Sequence, residues 1–108
     1  MQMAWIHLFI AGLLEIGWPL GLKISQSPDR RAAGLTLAII CMAGSGFFLW
    51  LAQKEIPIGT AYGVWTGIGA VGTFILGIVV YGDPATFWRL ISAFLIVAGL
   101  VGMKLTHS

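Results

Sequence analysis

Glu15 is where any chemistry in this chain has to start. It stands in Gly12-Leu13-Leu14-Glu15-Ile16-Gly17-Trp18-Pro19, the middle of an apolar run over roughly residues 3–22, and it is the only acidic group there. A carboxylate at membrane depth costs at least a few kcal/mol and marks a functional site by default. No Lys or Arg lies within two helical turns of it; the nearest, Lys23, is eight residues on. Its charge must therefore be balanced by a proton, by another chain or by a bound cation. Trp18 follows by three residues and shares the helix face, where its indole N–H can bond the carboxylate. Pro19 has no N–H, so the Glu15 carbonyl loses its usual helical donor and the helix loosens beside the carboxylate.

A second set of polar and aromatic residues lies further along. Ala43-Gly44-Ser45-Gly46 is the only polar interior feature of its run. Ser45 brings one hydroxyl donor and two acceptor lone pairs. Either it bonds its own helix backbone, or it serves a ligand, for instance by orienting Glu15. Tyr62 and Trp65 are three apart, with Thr66 beside them. They read as ordinary lipid-facing or core rings, or as an aromatic wall around a cation, where ring faces contribute about 0.5–2 kcal/mol. Gly67 and Gly69 flank Ile68 in the same run and permit bending.

The elements that position these residues follow from composition. The chain is 58% hydrophobic and 9% charged, far below the roughly 25% charge of soluble domains. It reads as an all-α integral membrane protein, a single four-helix domain over residues 1–108. At ~20 residues per span, the length holds four spans, roughly 3–22, 33–52, 58–81 and 87–103. Gly12 and Gly17 leave gaps for close helix approach, and Gly59, Gly63 and Gly67 repeat every four residues. Ala98, Gly99 and Gly102 make the fourth run a packing or dimerisation helix. Ser27-Pro28 and Asp83-Pro84 both read as helix starts, cap then proline. The short loop Gln53-Lys54-Glu55-Ile56-Pro57 predicts spans two and three as antiparallel neighbours. Four helices are too few to enclose a substrate path, which argues for an oligomer.

Other classes are excluded or weak. The net charge of +2 comes from loop Lys and Arg near headgroups and is no nucleic-acid footprint. Cys41 is the only cysteine and lies in an apolar run, so it behaves as a small hydrophobe. Met1-Gln2-Met3-Ala4-Trp5 lacks a basic start, and the first run reads as a retained span. His7 sits about 80° around the helix from Glu15 and reads as interfacial, not as a proton relay. Gly67-Ile68-Gly69-Ala70-Val71-Gly72 matches a dinucleotide fingerprint but lacks a preceding strand. No metal-ligand or nucleophile motif is present, so neither an enzyme nor a cofactor is expected. Lys23, Arg30, Arg31 and Arg89 fall on one side of the membrane, Lys54 and Lys104 on the other. That slight bias permits both orientations, and two opposed copies would form an inverted pair.

With two copies facing, both Glu15 side chains share one dry chamber. Protons and an incoming cation then compete for one site, the thermodynamic core of an antiporter. A guanidinium, with its planar fork of N–H donors, suits paired carboxylates. A quaternary ammonium would lean on aromatic faces instead. A third reading is a membrane partner that transports nothing and only packs against other helices.

The chain resembles the small multidrug resistance family of proton-coupled exporters, in its guanidinium exporter branch. The resemblance runs from Met3 to Thr106. It is carried by Gly12 to Trp18, by Pro57-Ile58-Gly59-Thr60-Ala61-Tyr62-Gly63-Val64-Trp65-Thr66-Gly67-Ile68-Gly69, and by Gly102-Met103-Lys104. Trp18, three after the glutamate, marks the guanidinium branch. The resemblance implies an antiparallel, dual-topology homodimer in the inner (plasma) membrane. It implies that Glu15 of both copies binds protons or substrate, two protons per cation, and that Trp18, Ser45, Tyr62 and Trp65 line the site. Gly12, Pro19, Gly67 and Gly69 are expected to line the pocket or to gate it. Pro19 and Gly63 depart from residues common in the branch, small and Ala respectively. Both departures lie beside site positions, which keeps small alkylated guanidinium or quaternary ammonium cations credible as substrates.

Overall fold

In the computed structural model, which describes residues 2–106, four helices follow one another: α1 Gln2–Ile24, α2 Arg31–Ala52, α3 Ile58–Tyr81 and α4 Phe87–Thr106. Met1 and residues 107–108, part of the domain expected from sequence, lie outside the described residues. At 1.5 Å per residue these helices are about 30–36 Å long, which matches a hydrocarbon core of ~30 Å. All four are long and apolar enough to cross a membrane. The expected spans coincide with them to within three residues at each end.

The starts of α2 and α4 depart from the capping expectation. Ser27 is extended (φ −80, ψ 125) and Pro28 follows it, but Pro28–Arg30 forms a short 3-10 turn and the Ser27 side chain caps nothing. The turn runs directly into α2, which therefore begins at Arg31. Asp83-Pro84 starts no helix, since α4 begins only at Phe87. Asp83 is instead drawn back onto α3. Gly82 takes the left-handed conformation (φ 68) that closes α3. The Asp83 N–H then donates to the Gly77 carbonyl at 3.0 Å.

Spans two and three were expected to pack as neighbours, but they meet only sparsely. α1 packs extensively on α2 and on α3, and α4 packs on α3. Residues without side chains explain the order. A Cβ at Gly21 would lie 2.5 Å from the Gly34 carbonyl oxygen and 2.6 Å from the Ala38 nitrogen, so the α1 and α2 backbones touch. Gly17 of α1 takes the Cys41 side chain of α2 in the same way. On the other face of α1, Gly12 faces Ile68 of α3. Gly63 and Gly67 of α3 face Met103 and Leu100 of α4, while Gly59 meets nothing.

The core sits at one end of the bundle, where Ala4 and Leu8 of α1 meet Ala52, Ile56, Ala61 and Val64. α4 buries none of its residues. The protomer is a slab of 48 × 34 × 17 Å with large apolar side chains outside, among them Ile39, Phe94 and Val79. Lipid or another chain has to cover them. Cations at both ends lie over aromatic rings. Lys54 lies 4.4 Å from the Trp50 centroid and Lys104 5.0 Å from Trp5. At the opposite end Lys23 lies over Tyr81 and Arg89 over Phe74. His7 lies against Phe48 of α2, with ring centroids 5.8 Å apart.

Gly21→Leu should separate α1 from α2, because backbone atoms cannot yield as a side-chain tip can. Overpacking of this kind costs about 1–3 kcal/mol. Thermal unfolding in detergent should show a clear drop for Gly21→Leu and little change for Gly59→Leu.

Candidate functional site

The α3-facing side of α1 carries Gly12, Glu15 and Pro19, at the three- and four-residue spacings that share a helix face. Glu15 is half-buried. Its side chain occupies the place where a Cβ at Gly69 would stand, so Gly69 is what admits a carboxylate between the two helices. A cleft of about 420 Å³ opens there, lined by Glu15, Trp18 and Pro19 of α1, by Thr66, Gly69, Ala70, Thr73 and Phe74 of α3, and by Asp83. Among the described residues, no hydrogen bond or ion pair reaches the Glu15 carboxylate.

Ser45 is 1% exposed and joins three helices. Its hydroxyl donates to the Ala11 carbonyl of α1 at 2.7 Å and accepts from Trp65 Nε1 of α3 at 2.7 Å. The reading in which Ser45 bonds its own helix backbone is thus replaced by a tie between α1, α2 and α3. Both observed partners also differ from Glu15, whose orientation was one of the roles open to Ser45. With its N–H held, the Trp65 ring is fixed, and Tyr62 lies beside it at 5.3 Å with the planes tilted by 51°. Tyr62 is more than half exposed.

The expected site residues therefore fall into two neighbouring groups. Glu15, Trp18, Pro19 and Gly69 share the cleft. Ser45, Trp65 and Tyr62 form a group joined by a hydrogen bond and a tilted ring contact, one turn along from the cleft, since Ala11 and Glu15 on α1 and Trp65 and Gly69 on α3 are each four residues apart. Gly12 packs under Ile68 and not at the cleft wall. Gly67 turns toward Leu100 of α4 and lines a separate opening that Tyr62 also borders. Sequence reasoning missed Thr73 and Asp83. The signal for Thr73 was present: Thr66, Gly69, Ala70 and Thr73 hold the spacing of one helix face. Asp83 had no such signal, because a loop delivers it.

Comparison with known proteins identifies the family. The family profile described as Small Multidrug Resistance protein matches residues 3–96. The chain belongs to the small multidrug resistance family. It is a multi-pass membrane protein of a transporter family. Among its relatives, the guanidinium exporter of Yersinia pseudotuberculosis is 53% identical over 103 residues, covering 95% of this chain and 98% of that one. The guanidinium exporter of Proteus vulgaris is 50% identical over the same length. That of Escherichia coli K12 is 47% identical over 106 residues, which cover all of it and 97% of this chain. The small multidrug resistance fold expected from sequence, four apolar helices, is the fold observed.

The Ser45 relay makes a quantitative expectation. Ser45→Ala leaves the Trp65 N–H of a part-buried bond without its acceptor, a loss that costs up to about 1–3 kcal/mol. In a double-mutant cycle with Trp65→Phe, thermal unfolding should give a coupling of about 1 kcal/mol. Additive effects would mean that the bond contributes nothing.

Proposed function

We propose that this protein is a proton-coupled exporter of guanidinium and small guanidinyl cations. The observation that carries the reading is Glu15, an acidic group in the membrane-spanning part of α1 that no ion pair reaches among the described residues. Near-full-length relatives named for guanidinium export support it. Two protomers lie antiparallel in the inner membrane, with their Glu15 clefts facing one chamber. Empty and ionised, that chamber holds two uncompensated charges. Protons or a guanidinium relieve this, and each displaces the other. If only loaded forms change access, the proton gradient drives the cation outward. With two protons per monovalent cation, one net charge moves inward per cycle, adding about 2.3 kcal/mol per 100 mV of membrane potential.

The residues divide the work. The two carboxylates accept the N–H fork of guanidinium. Trp18 lies beside Glu15 on the same wall of the cleft. The tethered Trp65 and its neighbour Tyr62 supply ring faces to the cation. α3 is an unbroken helix from Ile58 to Tyr81, and its glycines allow it to bend as access changes.

A second reading, export of quaternary ammonium cations by the same machine, is favoured by the exposed Tyr62–Trp65 ring pair. Solid-supported membrane electrophysiology on purified protein, with guanidinium and tetramethylammonium side by side across pH, separates the two. Guanidinium currents that fall as protons compete support the first reading. Currents with tetramethylammonium alone support the second.

Glu15→Gln should reduce proton-driven guanidinium transport to background in the same assay. Wild-type transport by Glu15→Gln would falsify the exchange scheme. Pro19→Ala restores a donor for the Glu15 carbonyl, and it should change exchange rate or apparent affinity without abolishing transport.

A further inference from the structure

The cleft does not end at Glu15. It continues into an adjoining cleft of about 240 Å³ that opens toward the end of the bundle where α3 closes, and Pro19, Thr73 and Asp83 border both. Two oxygen-bearing side chains, Thr73 and Asp83, therefore line one path.

Thr73 is the less explained of the two. Its Oγ1 is buried and has no hydrogen-bond partner among the described residues. Three other helical hydroxyls turn back on their own helix. Thr36 donates to the Ala32 carbonyl at 2.8 Å, Ser92 to Trp88 at 2.9 Å and Thr106 to Gly102 at 2.7 Å. Thr73 does not use the corresponding Gly69 carbonyl. Buried polar groups are nearly always satisfied, so an orphan in a cleft calls for a partner from outside the chain.

Asp83 is exposed yet held in place. Its N–H donates to the Gly77 carbonyl at 3.0 Å. Its carboxylate lies where a Cβ at Gly77 would stand, so only glycine at 77 lets it reach the cleft. Lys23 borders the outer cleft, but its ammonium lies over the Tyr81 ring at 5.5 Å. No ion pair reaches the Asp83 carboxylate among the described residues.

We propose that Thr73 and Asp83 form an outer subsite that takes small organic cations rich in N–H donors between Glu15 and the membrane surface. The inference rests on the export reading and extends it along the path. Asp83 raises the local cation concentration at the mouth, and Thr73 supplies a hydroxyl acceptor midway. The subsite shapes capture and leaves the exchange at Glu15 as it is.

Initial rates of guanidinium transport in reconstituted vesicles test this, with KM and kcat separated. Thr73→Val should raise KM about three- to tenfold, the equivalent of one hydrogen bond, with kcat little changed. Thr73→Ser should restore it. Asp83→Asn should raise KM by a similar factor at low salt, and the effect should shrink at high ionic strength. A wild-type KM in either Thr73→Val or Asp83→Asn overturns the subsite, as does a Thr73→Ser protein as impaired as Thr73→Val. Asp83 lies in an exposed loop, so its variant remains informative even if Thr73→Val fails to fold. Absence of guanidinium transport by the wild-type protein overturns the export reading and the subsite together. Wild-type transport with unaltered variants overturns the subsite alone.

Discussion

Glu15 rests against the bare backbone of α3 at Gly69, and the rest of the site is arranged around that contact. Among the described residues, no ion pair reaches the carboxylate placed there. One more carbon at position 69 would push the acid out of the cleft or push α1 away from α3. The same device recurs along α1, with Gly17 and Gly21 against α2 and Gly12 against Ile68. The helix that carries the acid is thereby held on two sides by backbone-close contacts. Such contacts fix its position more tightly than long, flexible side chains could.

The Ser45 relay makes a different kind of connection. It ties α1, α2 and α3 with two hydrogen bonds and no charge. Neutral bonds of this sort contribute about 0.5–1.5 kcal/mol each, enough to orient a ring and weak enough to be exchanged. A ligand that competes for the Ser45 hydroxyl would release Trp65.

The spans were legible because bilayer thickness sets helix length and hydropathy reads it directly; α3 matches its expected bounds at both ends. Glu15 was legible for a related reason, since an acid among apolar residues is costly wherever the helix sits. The partners of Ser45 were not legible. Nothing in the chain says that a hydroxyl on α2 will face Ala11, thirty-four residues away. The order of packing was hidden too. A short loop favours adjacency of α2 and α3, but Gly21 and Gly34 let α1 approach α2 more closely. Asp83 shows the limit most clearly. Followed by proline it has the sequence of a helix cap, yet the left-handed Gly82 turns it back to α3.

The cations that sit over rings come as two at each end of the slab: Lys54 and Lys104 at one, Lys23 and Arg89 at the other. Turn the protomer upside down and one amphipathic collar simply takes the other's place among the lipid headgroups. Most of the remaining asymmetry is the arginine doublet of the first loop, Arg30 and Arg31. A preference for one insertion over the other can therefore be adjusted at a doublet far from Glu15, leaving the chemistry of the cleft untouched.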